Sequence, residues 1–236
     1  IRLHTEAGAP IDAVRWRDLP DTLRQNVRST AWSEEEGLYL EGPGRTRDRL
    51  SQHVQCLAVL SDTATPEQTN RILQRLTSDA SLIPMHLMQS YYLGRTLEKA
   101  GAYHEFHDHV LDRWRAMLRN NLSTWQEYPD PTRSDCHAWS SWIAVDFVTT
   151  VLGIRPGAPG WIRISIQHSV DGLYHAKGSS PTPVGTVAVS WRKEAGQLHF
   201  EAETPVGIPV DLVLPGSVAE TVPGGGEIRR SMRVPA

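Results

Sequence analysis

The sequence TWQEYPDPTRSDCHAWSSW, residues 124–142, is the stretch around which we expect the fold to be organised. It brings together a carboxylate (Glu127), an arginine (Arg133), a histidine (His137), three tryptophans and a proline-bracketed loop. A helix start needs only a capping residue and an apolar stripe. The additional residue types are those of a sugar-binding cleft, because aromatic rings pack on sugars and polar groups hydrogen-bond to hydroxyls.

The composition fits one large domain or two smaller ones, since the chain has 236 residues. Its net charge of −3 gives no reason to expect nucleic acid or an anionic membrane as a partner. No apolar run approaches the roughly 18 residues of a membrane span. The first residues, IRLHTEAGAP, lack the pattern of a signal peptide. The sequence leaves the compartment open between cytoplasm, periplasm and secretion.

Cys56 and Cys136 have apolar neighbours, and we expect two buried free thiols.

Helical periodicity dominates the first part of the chain. Thr65 is expected to cap a helix that begins at Pro66, and Gly101 is expected to end the next one. The pattern predicts about six helices joined by short connections, as in a bundle or an α/α toroid. The predicted helical segments are residues 11–32, either as one helix or as two split near Pro20, and residues 48–62, 66–79, 84–101, 103–118 and 135–152.

The last predicted helix begins inside the opening stretch. Ser134 or Asp135 is its expected cap, and Ile143, Phe147 and Val151 recur every four residues as its expected buried stripe. Beyond residue 156 the period changes from helical to alternating. The sequence predicts a small antiparallel β-sandwich there, with strands at residues 160–167, 186–192, 197–203 and 209–214 and a last one within 224–234.

Glu127 and His137 are the candidates for chemistry. Glu127 lies between Trp125 and Tyr128, and a carboxylate among aromatic side chains is partly desolvated, which suits it to proton transfer. The alternative is an ordinary surface glutamate in a loop. His137 is predicted in the first helical turn, where the helix dipole favours the neutral imidazole. The alternative is a structural histidine.

Other patterns are weaker. The histidines of YHEFHDHV, residues 103–110, do not have the H-E-x-x-H spacing, and we interpret them as a solvated helix face. Cys136 and His137 are adjacent, so on a helix they do not face each other as a nucleophile and its base. The sequence therefore predicts no metal and no cofactor.

The opening stretch and the segment VLGIRPGAPGWIRISI, residues 151–166, resemble the C-terminal part of bacterial α-L-rhamnosidases of the inverting (α/α)6-barrel type. SDCHAWS, residues 134–140, is the most specific match. The likeness extends to WSEEEGLYLEGPG, LSQHVQCLAVLSDTATPEQ, YYLGRTLEKAG, KGSSPTPVGTVAVSW and ETPVGIPVDLVLPG, and so covers nearly the whole chain. It implies that residues 1–155 are part of a toroidal catalytic domain, with about six helices forming half of it, and that residues 156–236 form a β-sandwich.

The resemblance also implies roles. Glu127 matches the general base that activates water, while His137, Trp125 and Trp139 match residues that line the sugar site. We add Arg133 as a further substrate-binding candidate. The implied reaction is hydrolysis of terminal α-L-rhamnosides with inversion, and the implied partner is a rhamnose-containing glycoside or oligosaccharide.

Inversion also needs a general acid, with the two carboxyl groups about 6.5–9.5 Å apart. The family holds that acid in an Asp- and Arg-rich segment, and residues 1–50 contain no such segment. We therefore expect the remaining N-terminal part of the barrel, or a self-association partner, to complete the fold. A non-catalytic carbohydrate-binding or assembly role is the alternative, and a purely structural helical domain is a third possibility.

Overall fold

The computed structural model describes residues 14, 16–42, 49–128, 133–168 and 172–234, with backbone alone at residues 107 and 108. The chain divides into two compact units, residues 1–100 and residues 101–236. Six α-helices lie in the described ranges, as the sequence predicted. Across the same ranges, no helix is both long and apolar enough to cross a bilayer.

The first unit contains four helices and a short hairpin. Its elements are α1 (Leu19–Ala31), β1 (Trp32–Ser33), β2 (Leu38–Tyr39), α2 (Gln52–Leu60), α3 (Pro66–Leu76) and α4 (Ser90–Lys99). The predicted cap at Thr65 is confirmed: its hydroxyl accepts from the Gln68 amide N–H at 3.2 Å, and the Gln68 side chain accepts from the Thr65 N–H at 2.9 Å. This reciprocal pair satisfies two amides that the helix start leaves without intrahelical partners.

Two buried glutamines of α2 organise the centre of the first unit. The Gln55 side chain accepts from the Tyr39 N–H at 2.9 Å and donates to the Tyr39 carbonyl at 2.7 Å. Gln52 donates to the Leu76 carbonyl and accepts from the Met85 N–H, both at 2.8 Å. Because an unpaired buried amide is costly, these bonds fix the strands and loops around α2.

The apolar residues of α1 do not reach a core. Ala31 is buried, whereas Leu19, Leu23 and Val27 are exposed. A helix with an apolar stripe normally buries that stripe against another element. In this structure the stripe of α1 is a solvent-facing apolar surface.

The second unit begins with helical segments of unequal type. They are a π-helix (Phe106–Val110), α5 (Asp112–Arg119), a 3-10 helix (Ala138–Ser141), α6 (Trp142–Asp146) and a second π-helix (Phe147–Val151). The predicted start of the last helix at Ser134 or Asp135 is wrong, because residues 134–137 are not helical. The predicted buried stripe is wrong at Phe147, which is exposed. The π-helix there adds a residue per turn, with the Leu152 N–H donating to the Phe147 carbonyl at 3.0 Å, so the four-residue spacing no longer keeps one face.

Two four-stranded sheets complete the second unit. The strands are β3 (Ile154–Pro156), β4 (Ile164–Gln167), β5 (His175–Thr182), β6 (Gly185–Glu194), β7 (Gln197–Thr204), β8 (Val210–Val213), β9 (Glu220–Val222) and β10 (Gly226–Arg233). One sheet has the order β10-β7-β6-β5 and is antiparallel throughout. The other has the order β3-β4-β8-β9, and β4 pairs with β8 in parallel. The prediction of purely antiparallel strands is therefore wrong for this sheet, because the chain returns to β4 after the hairpins of the other sheet.

The two cysteines differ in environment. Cys56 is buried, and burial raises the pKa of its thiol to about 12. Cys136 is exposed, so the prediction of two buried thiols is wrong for it. Its segment is not helical, so Cys136 does not lie on a helix face that packs against the core.

This difference predicts selective labelling. A thiol reagent at mildly alkaline pH is expected to modify Cys136 and spare Cys56 in the native chain, because only an accessible thiolate reacts. Both thiols should react after denaturation. Mass spectrometry of the labelled peptides measures this, and Cys136→Ser should remove the native reaction. Rapid native labelling of Cys56 would contradict the placement.

Candidate active site

Two segments of the opening stretch, residues 124–127 and 134–137, lie side by side. The Glu127 N–H donates to the Ser134 carbonyl at 2.8 Å, and the His137 N–H donates to the Trp125 carbonyl at 2.6 Å. The Thr124 hydroxyl donates to the Asp135 carbonyl. These bonds hold residues 134–137 in a non-helical conformation, and the 3-10 helix begins only at Ala138. They also fix the relative position of the Glu127 and His137 backbones.

Glu127 is the central carboxylate of this arrangement. The Arg133 Nε donates to Glu127 Oε2 at 2.8 Å, and Arg133 Nη2 donates to Oε1. The Glu127 side chain is 15% exposed and that of Arg133 is 73% exposed, so the guanidinium lies on the solvent side of the carboxylate. The Glu127 carboxylate raises the pKa of Arg133 above its usual range, and the guanidinium stays charged.

His137 lies beside this pair. Its Nδ1 is 4.0 Å from Glu127 Oε2, which is longer than a hydrogen bond. The residue is extended, with φ −126° and ψ 98°, and precedes the 3-10 helix instead of lying in a first α-helical turn as the sequence predicted. Its ring meets Trp139 edge to face, with centroids 5.2 Å apart. The imidazole is therefore held by packing, and its ring nitrogens remain near the carboxylate.

The two predicted tryptophans have different surroundings. Trp139 is 64% exposed, and its exposed ring surface is of the kind that packs on the apolar face of a sugar. Trp125 is half-buried and lines a cavity of about 600 Å³ with Trp114, Met117, Leu122, Ile143 and Phe147. The structure thus brings Glu127, Arg133, His137 and Trp139 together through side chains, and joins Trp125 to them through its backbone.

An aromatic cluster of Phe106, Trp114 and Trp142 packs next to the segment that carries His137 and Trp139. Trp114 donates from Nε1 to the Ser140 carbonyl at 2.9 Å. Its ring meets Trp142 at 5.3 Å, and Trp142 meets Phe106 at 5.4 Å, both edge to face. Sequence reasoning gave Trp114 no part in the site, because its neighbours in the sequence mark it only as a residue of a helix. Because these rings anchor residues 140 and 142, they position the preceding residues His137 and Trp139.

Tyr128, expected from the sequence only as an aromatic neighbour of Glu127, makes a further contact. The Arg133 guanidinium carbon lies 5.8 Å from the centre of the Tyr128 ring, within range of a cation–π contact. Tyr128 directly follows Glu127, so neighbouring residues contact the same arginine. The position next to Glu127 could have suggested this contact, but its geometry depends on the tertiary structure.

The chemistry open to these residues is proton transfer and hydrogen bonding to hydroxyl groups. A carboxylate can accept a proton, an imidazole can donate and accept, and a guanidinium can only donate. Within the described ranges, no three His, Cys, Asp or Glu side chains converge as a metal site. His104 and His109 instead lie 3.5 and 3.3 Å from carboxylate oxygens of Glu105.

Comparison with known proteins identifies a class of glycosidase. The chain superimposes on a GH78 family rhamnosidase of Bacillus sp. GL1 with a TM-score of 0.79 and 30% identity, over 91% of this chain and 24% of that one. It also superimposes on the α-L-rhamnosidase of Aspergillus terreus with a TM-score of 0.81 and 22% identity, over 98% of this chain and 28% of that one. The second likeness shows the fold alone.

Sequence comparison names the same family. Residues 153–229 match the bacterial α-L-rhamnosidase C-terminal domain. The chain is 24% identical over 230 residues to an α-L-rhamnosidase of Alteromonas sp. (strain LOR), which covers 89% of this chain and 24% of that protein. The chain is a relative of the α-L-rhamnosidases, as its motifs indicated, and it spans about a quarter of the length of these relatives.

Proposed function

We propose that this chain forms part of a glycoside hydrolase that removes terminal α-L-rhamnosyl groups with inversion, and that Glu127 is its general base. The observation that carries the proposal is the Glu127 carboxylate, mostly shielded from solvent and held beside His137 and Trp139. It occurs in a chain whose relatives are named as α-L-rhamnosidases. A base in this position would deprotonate the water that attacks the anomeric carbon.

The residues around Glu127 bind and orient the substrate in this proposal. His137 orients the sugar or the attacking water through its ring nitrogens, and the exposed Trp139 ring packs on the sugar. Trp125 forms an apolar wall of the site. Arg133 uses Nε and Nη2 on Glu127, which leaves Nη1 to donate to a substrate hydroxyl. The substrate is a rhamnose-containing glycoside or oligosaccharide.

The proposal includes the larger architecture. Residues 1–155 are the C-terminal part of an (α/α)6-barrel catalytic domain, about half of the toroid, and residues 156–236 are a C-terminal β-sandwich. The exposed apolar residues of α1 support this, because such a stripe needs a covering element. The remaining N-terminal part of the barrel, or a second copy, would cover it and supply the general acid.

A second candidate is a carbohydrate-binding or assembly role without catalysis. It is favoured by the described site contacts, in which Glu127 contributes the carboxylate and no general acid is paired with it. Binding of rhamnose without hydrolysis would fit this candidate.

The test is hydrolysis of 4-nitrophenyl α-L-rhamnoside, with the product anomer followed by proton NMR. The 236-residue chain is compared with a longer polypeptide that adds a relative's N-terminal barrel segment. Release of β-L-rhamnose by the longer polypeptide alone supports the complete proposal. Release of the α-anomer would contradict inversion. Rhamnose binding without turnover in both polypeptides favours the second candidate.

A further inference from the structure

Three side chains contact one another in series in this structure: Tyr128 contacts Arg133, and Arg133 contacts the proposed base, Glu127. The Tyr128 ring lies under the Arg133 guanidinium at 5.8 Å, and that guanidinium makes two hydrogen bonds to the Glu127 carboxylate. We infer that Arg133 and Tyr128 are positioning residues for Glu127: Arg133 fixes the plane of the carboxylate, and Tyr128 holds Arg133 in place. The kinetic part of this inference rests on the proposed function.

The two-point contact is what fixes the carboxylate. The planar guanidinium presents Nε and Nη2 as parallel donors, and both carboxylate oxygens accept, so rotation about the last carbon–carbon bond of Glu127 is restrained. A lysine ammonium, which is a point charge, would not impose this plane. His137 Nδ1 is 4.0 Å away and makes no hydrogen bond to the carboxylate. Arg133 is therefore the side chain that sets its orientation.

Arg133 itself needs a support. Its side chain is 73% exposed, and an exposed arginine loses rotamer freedom when it is held in one ion pair, which makes such pairs weak on average. The face of the Tyr128 ring provides a second attachment for the same guanidinium. Tyr128 directly follows Glu127, and Arg133 directly precedes Ser134. The Glu127 N–H donates to the Ser134 carbonyl at 2.8 Å, so this one backbone hydrogen bond holds both neighbouring positions.

The chain offers a matched control. Arg119 makes the same kind of two-point contact with Asp112, at 3.1 and 2.9 Å, on the exposed surface of α5. Removing that pair changes a similar arginine–carboxylate contact outside the site. Arg119→Ala and Asp112→Asn therefore report the effect of losing an exposed ion pair as such.

The first experiment needs no enzymatic activity. The Nε–Hε signal of Arg133, assigned by NMR in the 236-residue chain, is expected to be shifted downfield and slow to exchange with water. Glu127→Gln should move it to the position of a solvated arginine, and Tyr128→Leu should accelerate its exchange, while Tyr128→Phe, which keeps the ring, should do so less. Asp112→Asn should leave it unchanged. An Arg133 signal that is already solvent-like in the unmodified chain overturns the inference.

The second experiment uses chemical rescue in a polypeptide that hydrolyses the aryl rhamnoside. Arg133→Ala is expected to lower kcat about 10- to 100-fold, because a displaced catalytic group loses its alignment. Millimolar guanidinium should restore part of that kcat, ammonium should not, and Arg119→Ala should show neither loss nor rescue. A rise in KM at unchanged kcat, without rescue, would make Arg133 a substrate-binding residue only and overturn the inference. If no polypeptide turns the substrate over, the proposed function fails, and the NMR experiment alone decides whether Tyr128 and Arg133 position Glu127.

Discussion

Replacing Glu127 by glutamine is expected to lower kcat for an aryl α-L-rhamnoside by about 10²- to 10⁴-fold, the usual contribution of general acid–base catalysis. The amide keeps the size of the side chain but cannot accept the proton of the attacking water. The arginine contact would be weakened and the fold retained, since the side chain lies in the site and not in the apolar core. The assay is the initial rate of nitrophenol release by a polypeptide with a complete barrel.

The matched control is Asp112→Asn, which alters another carboxylate held by two arginine nitrogens. It should leave kcat and KM within the error of the assay. Circular dichroism of both variants shows whether the fold is intact. Near-normal turnover of Glu127→Gln would remove Glu127 from the role of base.

Trp191→Ala is expected to have the largest effect on stability. Trp191 is 1% exposed, its ring stacks on His168 with centroids 5.2 Å apart, and its Nε1 donates to the Val151 carbonyl at 2.9 Å. Truncating a buried tryptophan typically lowers the free energy of unfolding by about 3–5 kcal/mol, and the Val151 carbonyl would also lose its partner. Urea denaturation followed by far-ultraviolet circular dichroism measures the change.

Trp139→Ala provides the comparison, because this tryptophan is 64% exposed. Its loss should change the free energy of unfolding by no more than about 0.5 kcal/mol, as for most surface substitutions. Trp191→Phe should fall between the two, since it keeps an aromatic ring but not the donor. Equal effects of Trp191→Ala and Trp139→Ala would contradict the described burial.

The sequence predicted the strands that alternate strongly and missed the short strands β1, β2, β3 and β9 and the longer β5. β6 and β7 were predicted, because large apolar residues such as Trp191 and Phe200 alternate there with polar ones. β5 was not, since its inward positions carry Ala176, Gly178 and Ser180. A Cβ at Gly178 would lie 2.7 Å from Leu152 Cδ1, so a side chain at this position would require the Leu152 side chain to move. Such a requirement comes from a neighbour and leaves no periodic pattern in the strand.

The candidate site residues could be nominated from the sequence, but the geometry that joins them could not. Glu127, Arg133 and His137 lie within one short stretch and were named from it. The sequence could not show that Arg133 lies on the carboxylate instead of facing free solvent. That contact depends on the hydrogen bonds between residues 124–127 and 134–137, which bring these two segments together.

By itself the sequence indicated the likeness to α-L-rhamnosidases, six helical segments and the stronger strands, and it nominated the residues of the candidate site. These follow from local patterns, such as caps, periodic apolar residues and a specific motif. Only the tertiary structure decided that residues 134–137 are not helical, that Cys136 is exposed, and that β4 pairs in parallel with β8. The hydrogen bonds responsible join residues distant in sequence, as in the pairing of Ile164 with Val210. A local pattern carries no information about such partners, and burial and orientation at these positions depend on them.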